Sequence, residues 1–405
     1  MHRRVAITGC GVVSALGGTA GETWEGLVAG RVGIRPVTLF DTSRERTHLA
    51  AEIQAFDASR LFGPKELERA SRGDRIGLLA ATEAVRDSAL DLAGPSASRA
   101  ALVIGGGGGG LLQGEDYLEA ARSAVKAPRP SAALGFFPAA TADLIASRLG
   151  LRGGAMTIMN ACSSATVAIG HAAMRIRSGE VDLALAGGVE TLSRATYSGF
   201  NALRLVDPEP CRPFDRDRRG LSLGECAAFL VLETLDLARS RGARIAAEVA
   251  GWGMSADGHH ATAPRPDGDG IVRAMRAALR VAGIGPGEVD HVNAHGTGTE
   301  QNDIVETRAL KAVFGPRARL VPVVSIKGMV GHCLGAAGAI EAFATAMTIA
   351  RGLLPPTAGL RTPDPECDLD YVPGRARRHE ARVALSISLA FGGNNGALVL
   401  RRVES

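Results

Sequence analysis

Four side chains in this sequence stand where their types and neighbours permit chemistry: Cys162, His295, Lys327 and His332. In "AMTIMNACSSATVAIGHAA", Cys162 follows a run that reads as a strand and opens a helix with Ser163, Ser164 and Thr166 in its early turns. A thiol there meets unpaired N–H groups and the positive end of the helix dipole, which favours its thiolate. A sharp strand-to-helix turn also exposes the side chain, as nucleophile elbows do. The other reading is a buried structural cysteine, the usual fate of this residue. "DHVNAHGTGTEQND" ends a strand in a loop carrying His295, where imidazole can act as acid, base or oxyanion donor, or be merely structural. The hydroxyls of Thr297 and Thr299 offer contacts for an amide-bearing ligand.

"VPVVSIKGMVGHCLGAAGAIEA" adds Lys327 at a strand end and His332 at a helix start, where the dipole disfavours an imidazolium. "SLAFGGNNGALVL" places Phe391 in a glycine turn between two strands, able to supply a backbone N–H and a movable ring. A plain hairpin accounts for that turn equally well.

The elements that must position these residues alternate along the chain. "RVAITGCGVV", "AALVIGG", "VDLALAGGVE", "ECAAFLVLE" and "ARVALSISLAFGG" read as strands; "DRIGLLAATEAVRDSA", "GIVRAMRAALRVAG" and "GAAGAIEAFATAMTIARG" read as helices. Such alternation predicts an α/β protein with covered sheets. The segments around Cys162 and His332 share one grammar: strand, tight turn, then a helix rich in Ala, Gly and Ser. That duplication predicts two halves, 1–240 and 241–405, in one compact unit, with the charged stretch 233–244 as the seam.

Six consecutive glycines, 105–110, invite a dinucleotide reading. That reading needs an acid ending a following strand roughly 20 residues on, and "AVKAPRPSAA" there offers neither strand nor acid. The loop is instead a place where backbone must approach something closely.

Composition narrows the class further. A 405-residue chain that is 46% hydrophobic and 22% charged describes a soluble globular protein. Its net charge of +4 is mildly basic, without the like-charge block of a nucleic-acid arm. The six cysteines include no C-x-x-C pair, so reduced thiols of a cytoplasmic protein are expected rather than disulfides or a metal site. No run of 18 apolar residues predicts a membrane span.

Taken together, "NACSSA", "AGGVE", "CRPFDRDRRGLSLGE", "NAHGTGT", "SIKGMVGHCLGAAGAIEA", "PDPECDLDYVP" and "FGGNNGALVL" resemble the elongating β-ketoacyl-acyl-carrier-protein synthases of the thiolase-fold superfamily, the KAS I/KAS II group with its type II polyketide ketosynthases. The resemblance covers almost the whole chain. It implies a thiolase-like fold, a duplicated, layered αβαβα core, and a dimer, either of two copies or with a chain-length partner. It implies that Cys162 takes an acyl group from the phosphopantetheine arm of an acyl carrier protein. A malonyl thioester then loses CO2, and its enolate carbon attacks the acyl-enzyme.

By the same resemblance, His295 and His332 hold the malonyl thioester oxygen and Lys327 orients them. Glu306 braces that network near Lys327, and the N–H groups of Cys162 and Phe391 form an oxyanion hole. Thr297 and Thr299 hydrogen-bond the pantetheine amides, Phe391 gates the acyl chain, and Phe200 and Gly108 line its pocket. No permanently bound cofactor, metal or nucleic acid is implied. Lys65, Arg69, Arg72 and Arg75 in "FGPKELERASRGDR", with Arg204, are the candidates for docking the acidic carrier, an ordinary solvated face being the alternative.

Three departures stand out. Arg219 occupies a position where the family usually has a second acid. Leu389 and Ala390 precede Phe391 in place of a Phe-Gly pair, a change expected to stiffen the gate. Gly108 replaces a larger residue, often Ile, and so predicts a deeper acyl tunnel. A thiolase would carry a second catalytic cysteine in the last glycine loop, and "AFGGNNG" has none. The starter-condensing KAS III group uses Cys-His-Asn, which the His332 segment does not match. A non-catalytic chain-length subunit would lack the nucleophile that Cys162 supplies.

Overall fold

A computed structural model describes residues 3–92, 95–123 and 130–404; part of the stretch read above as lacking a strand, 124–129, lies outside them. Ten strands form one sheet: β1 (Val5–Ser14), β2 (Ala100–Gly105), β3 (Ala155–Ile158), β4 (Leu183–Glu190), β5 (Cys226–Thr234), β6 (Ala247–Ala256), β7 (His291–Asn293), β8 (Val323–Val324), β9 (Val383–Ala390) and β10 (Asn394–Arg401). Their order is β8-β7-β9-β10-β6-β1-β5-β4-β2-β3.

The duplication is plain in that order. Numbered within its own half, each set of five strands runs 1-5-4-2-3 outward from the shared centre. The first two pairings in each half are antiparallel and the last two parallel. The halves meet where β1 pairs with β6 through Ala6–Glu248 and Ile7–Ala247.

Helices complete the layers. α1 (Arg72–Ser88) covers β1 and β5 on one outer face. Its start is fixed by a capping box, Ser71 and Asp74 bonding each other's backbone N–H. α2 (Ser164–Arg177) packs in the interior against α5 (Ala337–Arg351), and α3 (Asp269–Ala282) covers β6 and β10 on the opposite outer face. α4 (Glu300–Phe314) packs beside α3.

Burial follows the layering. In α5 every residue from Ala337 to Ile349 is buried and only the last two, Ala350 and Arg351, are exposed, as a helix enclosed on all sides requires. β1 is buried at all ten positions, so its apolar residues do not alternate. Separate apolar clusters fill the central layer and the two outer interfaces.

The repeat places the chemistry. Cys162 lies between β3 and α2, and His332 lies in the equivalent connection between β8 and α5. The glycine run that ends β2 at Gly105 and continues to Gly110 corresponds to the His295 loop after β7. The connections that carry these residues therefore meet at one end of the layered core.

Candidate active site

The turn before α2 holds Ala161 in the left-handed region, φ 46°, so the chain reverses sharply and presents Cys162. Asn160 N–H donates to Ser164 Oγ at 2.7 Å, and Ser164 Oγ donates to Ala161 O at 2.6 Å, tying the elbow to the helix start. The thiol is buried, and His332 Nε2 lies 3.0 Å from Cys162 Sγ. Burial pushes the thiol pKa up to about 11, opposed by the Lys327 charge and by a hydrogen bond from the Phe391 N–H. The Phe391 amide therefore already points at the sulfur.

His332 is held by its own backbone. Its N–H donates to Ser222 O at 2.6 Å, and its carbonyl accepts from Gly224 N–H at 3.0 Å. Burial first, and the nearby Lys327 charge second, lower the pKa of His332 well below its ordinary value. His295 is shifted the same way by burial, Lys327 and His332. Both imidazoles are therefore neutral, their rings meeting edge to face with centroids 5.2 Å apart.

Lys327 makes three interactions with its ammonium group. It donates to His295 O at 2.6 Å, lies 3.4 Å from His295 Nδ1 and forms an ion pair with Glu341. An ammonium only donates, so Nδ1 accepts and the ring proton of His295 resides on Nε2.

Glu341 is the residue that motif reading missed. It lies in the middle of α5, buried, and also accepts from Ser388 Oγ at 3.5 Å. A single acid inside an otherwise apolar run was the available signal. Glu306 braces the network through the backbone instead, accepting from His295 N–H at 2.6 Å and Gly296 N–H at 2.7 Å. Burial raises its pKa to about 8.

Two cavities meet at the thiol. One, of about 290 Å³, opens past Thr297, Thr299, Arg204 and Arg219 and ends at Cys162, His295 and His332. The other, of about 450 Å³, is lined by Leu111, Phe136, Met159 and Leu334 among apolar residues, together with Gly106, Gly107 and Gly108. They share three lining residues, Cys162, Phe200 and Phe391. Phe200 and Phe391 stack with centroids 5.5 Å apart and so form the wall between the cavities. Thr297 Oγ1 and Thr299 Oγ1 lie 2.9 Å apart on the outer side.

Gly108 does not open extra tunnel. A Cβ at this position would lie 1.9 Å from Glu190 Oε1, so the Glu190 carboxyl already fills the space. That buried carboxyl accepts backbone N–H bonds from Gly107, Gly108 and Gly335, while burial raises its pKa to about 7. Glu190 is a second residue that motif reading left without a role. Gly105 is required for a different reason: a Cβ there would lie 2.2 Å from Ala165 N, at the start of α2.

The docking candidates separate. Lys65 and Arg69 are exposed, around the short helix Pro64–Leu67. Arg72 is engaged internally: it donates to Glu225 Oε1 at 2.8 Å and Oε2 at 2.7 Å, and to Ile53 O at 2.5 Å. Arg75 donates to Ala70 O and Leu67 O. These two guanidinium groups hold the α1 start in place, correcting their assignment to docking. Arg204 is exposed at the mouth of the first cavity.

Comparison with known proteins agrees with this geometry. Residues 2–238 match the family described as beta-ketoacyl synthase, N-terminal domain, and residues 246–361 match its C-terminal domain. A 3-oxoacyl-acyl-carrier-protein synthase 2 of Synechocystis sp. is 39% identical over 99% of both chains. Its namesake from Coxiella burnetii is 40% identical, again over 99% of both. Among solved structures, the ishigamide ketosynthase/chain length factor superposes with TM-score 0.95 at 38% identity, covering all of both chains. A type II polyketide ketosynthase bound to its acyl-carrier protein and a hexaketide gives TM-score 0.91 at 30% identity over the same coverage. With its duplicated sheet and its Cys162, His295 and His332 cluster, this chain belongs to the β-ketoacyl synthase family.

Proposed function

We infer that the chain joins an acyl group carried on Cys162 to malonyl-acyl-carrier protein by decarboxylative Claisen condensation. The observation that carries this reading is the 3.0 Å approach of His332 Nε2 to Cys162 Sγ, with the Lys327-polarised His295 beside it, where two cavities meet.

In the first half-reaction the Cys162 sulfur attacks the thioester carbonyl of the donor, and the carrier leaves as its thiol. The Phe391 N–H, already directed at the sulfur, and the Cys162 N–H are suited to the oxyanion. In the second, the Nε2–H groups of His295 and His332 donate to the malonyl thioester oxygen while the carboxylate departs as CO2. The enolate carbon then bonds to the acyl carbon. Cys162 leaves as thiolate and takes up a proton, and the product is a 3-oxoacyl thioester two carbons longer. Neutral imidazoles suit this task, since each can donate one N–H to a developing enolate oxygen while keeping its proton.

The outer cavity suits the phosphopantetheine arm of an acyl carrier protein, and the inner one the growing chain. Lys65 and Arg69 are the exposed cations we assign to docking the acidic carrier. The edge strand β3 and its surroundings expose Met156, Met159, Phe136 and Phe137, and an unpaired apolar edge calls for a partner. Met159 and Phe136 also line the inner cavity. A second subunit on this edge, another copy or a chain-length partner, would therefore complete the acyl pocket. Sedimentation of the purified chain alone decides between the two: a dimer of identical copies forms without any added subunit.

Among the described residues no helix is long and apolar enough to cross a membrane. The six cysteines are free, and we place the protein in the cytoplasm, where thiols stay reduced. The reaction is tested by intact-mass spectrometry after incubation with acyl-acyl-carrier proteins. A mass gain on the wild type, absent from Cys162→Ala, together with elongation that the variant cannot perform, supports the reading. Elongation by Cys162→Ala overturns it.

A further inference from the structure

Two guanidinium groups at the mouth of the outer cavity have no partner among the described residues. Segments 205–207 and 219–221 pair in parallel: Leu221 N–H donates to Leu205 O at 2.8 Å, and Asp207 N–H donates to Leu221 O at 2.8 Å. Arg204 and Arg219 enter this pairing from the same end, and both line the cavity that leads to Cys162. Among the described residues neither guanidinium makes an ion pair or a hydrogen bond. Their neighbours differ: Arg212 pairs with Asp207 and Glu209, and Arg218 pairs with Asp364 and Asp303.

The backbone beneath the pair is fixed. Gly220 N–H donates to Gly298 O at 3.1 Å, which joins the Arg219 segment to the Thr297–Thr299 loop. Arg219 N–H donates to Asp207 Oδ2 at 3.2 Å, and Arg204 sits in the left-handed region at φ 57°. Two acids also line the cavity. Asp257 is occupied by Asn395 Nδ2 at 2.7 Å and Arg265 N–H at 3.0 Å, which leaves Glu300 as the exposed carboxylate of that rim.

Two cations held at one end of a paired segment repel each other unless an anion lies between them. An acyl donor that reaches Cys162 through this mouth carries one permanent anion at its outer end, the phosphate of the pantetheine arm. We propose that Arg204 and Arg219 form the phosphate subsite of the acyl-donor arm. This rests on the thioester reading above and adds to it a place where the carrier's phosphate, rather than its protein surface, is recognised.

The test uses one acyl group on two small donors, pantetheine and 4′-phosphopantetheine, and measures acylation of Cys162. For the wild type, the phosphorylated donor is expected to half-saturate at about a tenth of the concentration of the other. Arg219→Ala and Arg204→Ala should each close that gap by about threefold, with the pantetheine donor unaffected. A wild type that does not distinguish the two donors overturns the subsite, as does a variant that weakens both equally. Direct binding of unacylated 4′-phosphopantetheine, measured by calorimetry in the same variants, separates this from the parent reading. Binding that depends on Arg219 without any acylation would retain the anion site and sink the condensation. Acylation with no dependence on phosphate would do the reverse.

Discussion

The Lys327 ammonium lies 3.4 Å from His295 Nδ1 and so assigns the ring proton of His295 to Nε2, the nitrogen left free for substrate. No hydrogen bond joins His295 to the sulfur; that contact belongs to His332. The two half-reactions should therefore respond differently to the two histidines. His295→Ala is expected to lower malonyl decarboxylation by at least about 100-fold, while Cys162 acylation stays near the wild-type rate. His332→Ala should slow both. Release of CO2 and the intact mass of the acyl-enzyme, followed in parallel, check the split.

Lys327 and Glu341 form a buried ion pair, each almost wholly removed from water. Removing one partner strands the other charge, at a cost of about 3–5 kcal/mol. Lys327→Met and Glu341→Leu should each destabilise the fold by about that amount. The double replacement should lose less than the sum, because no charge is left unpaired. Urea unfolding of the four proteins measures the coupling.

Arg72 and the pair Lys65 and Arg69 should separate by experiment. The Arg72 side chain is 14% exposed against a fully buried Glu225. Arg72→Ala is expected to cost about 3 kcal/mol of stability. Lys65→Glu with Arg69→Glu should leave the unfolding midpoint unchanged and raise KM for acyl-acyl-carrier protein. With a pantetheine donor that lacks the protein, the same double variant should behave as wild type.

Cys162, His295 and Lys327 were legible in the sequence because each follows an apolar run that reads as a strand, and His332 because it precedes a helix rich in small residues. The repeated grammar around Cys162 and His332 likewise reflects a repeated 1-5-4-2-3 strand order. Partners distant in sequence were not legible. Arg72 reads as a surface cation because Glu225 lies 153 residues away. Glu341 reads as one polar position on a helix, since nothing local places the Lys327 ammonium beside it. Gly108 reads as a deletion until Glu190, from the end of another strand, is seen to occupy its place.

Glu190 makes stability depend on pH in a stated direction. Its folded pKa is about 7, raised from the ordinary 4.5 by burial. Between those values the folded state holds a proton that the unfolded state has lost. The stabilising contribution is complete below about 4.5 and declines as pH rises through about 7. Wild-type stability minus that of Glu190→Gln, a side chain that does not titrate, should therefore fall from pH 5 to pH 8. A difference that is flat or rising contradicts the assignment.

The glycine loop gives the sharpest test of how the acyl cavity is built. If Gly108 were merely missing a side chain, Gly108→Ile would fill vacant space and shorten the accepted chains without other effect. Instead even the first added carbon would meet Glu190 Oε1 at 1.9 Å, far inside contact distance. Gly108→Ala is therefore expected to destabilise the protein by about 1–3 kcal/mol. Shortening the acid in Gly108→Ala/Glu190→Ala should make the glycine substitution itself nearly neutral in that background, leaving only the cost of the lost Glu190 hydrogen bonds. Gly108→Ile should change chain-length preference only where Glu190 has been displaced. Stability of the four proteins of the Gly108→Ala cycle, together with product lengths for Gly108→Ile with and without Glu190→Ala, tests both arms. Equal cost of Gly108→Ala in both backgrounds would mean that the carboxyl does not occupy the site.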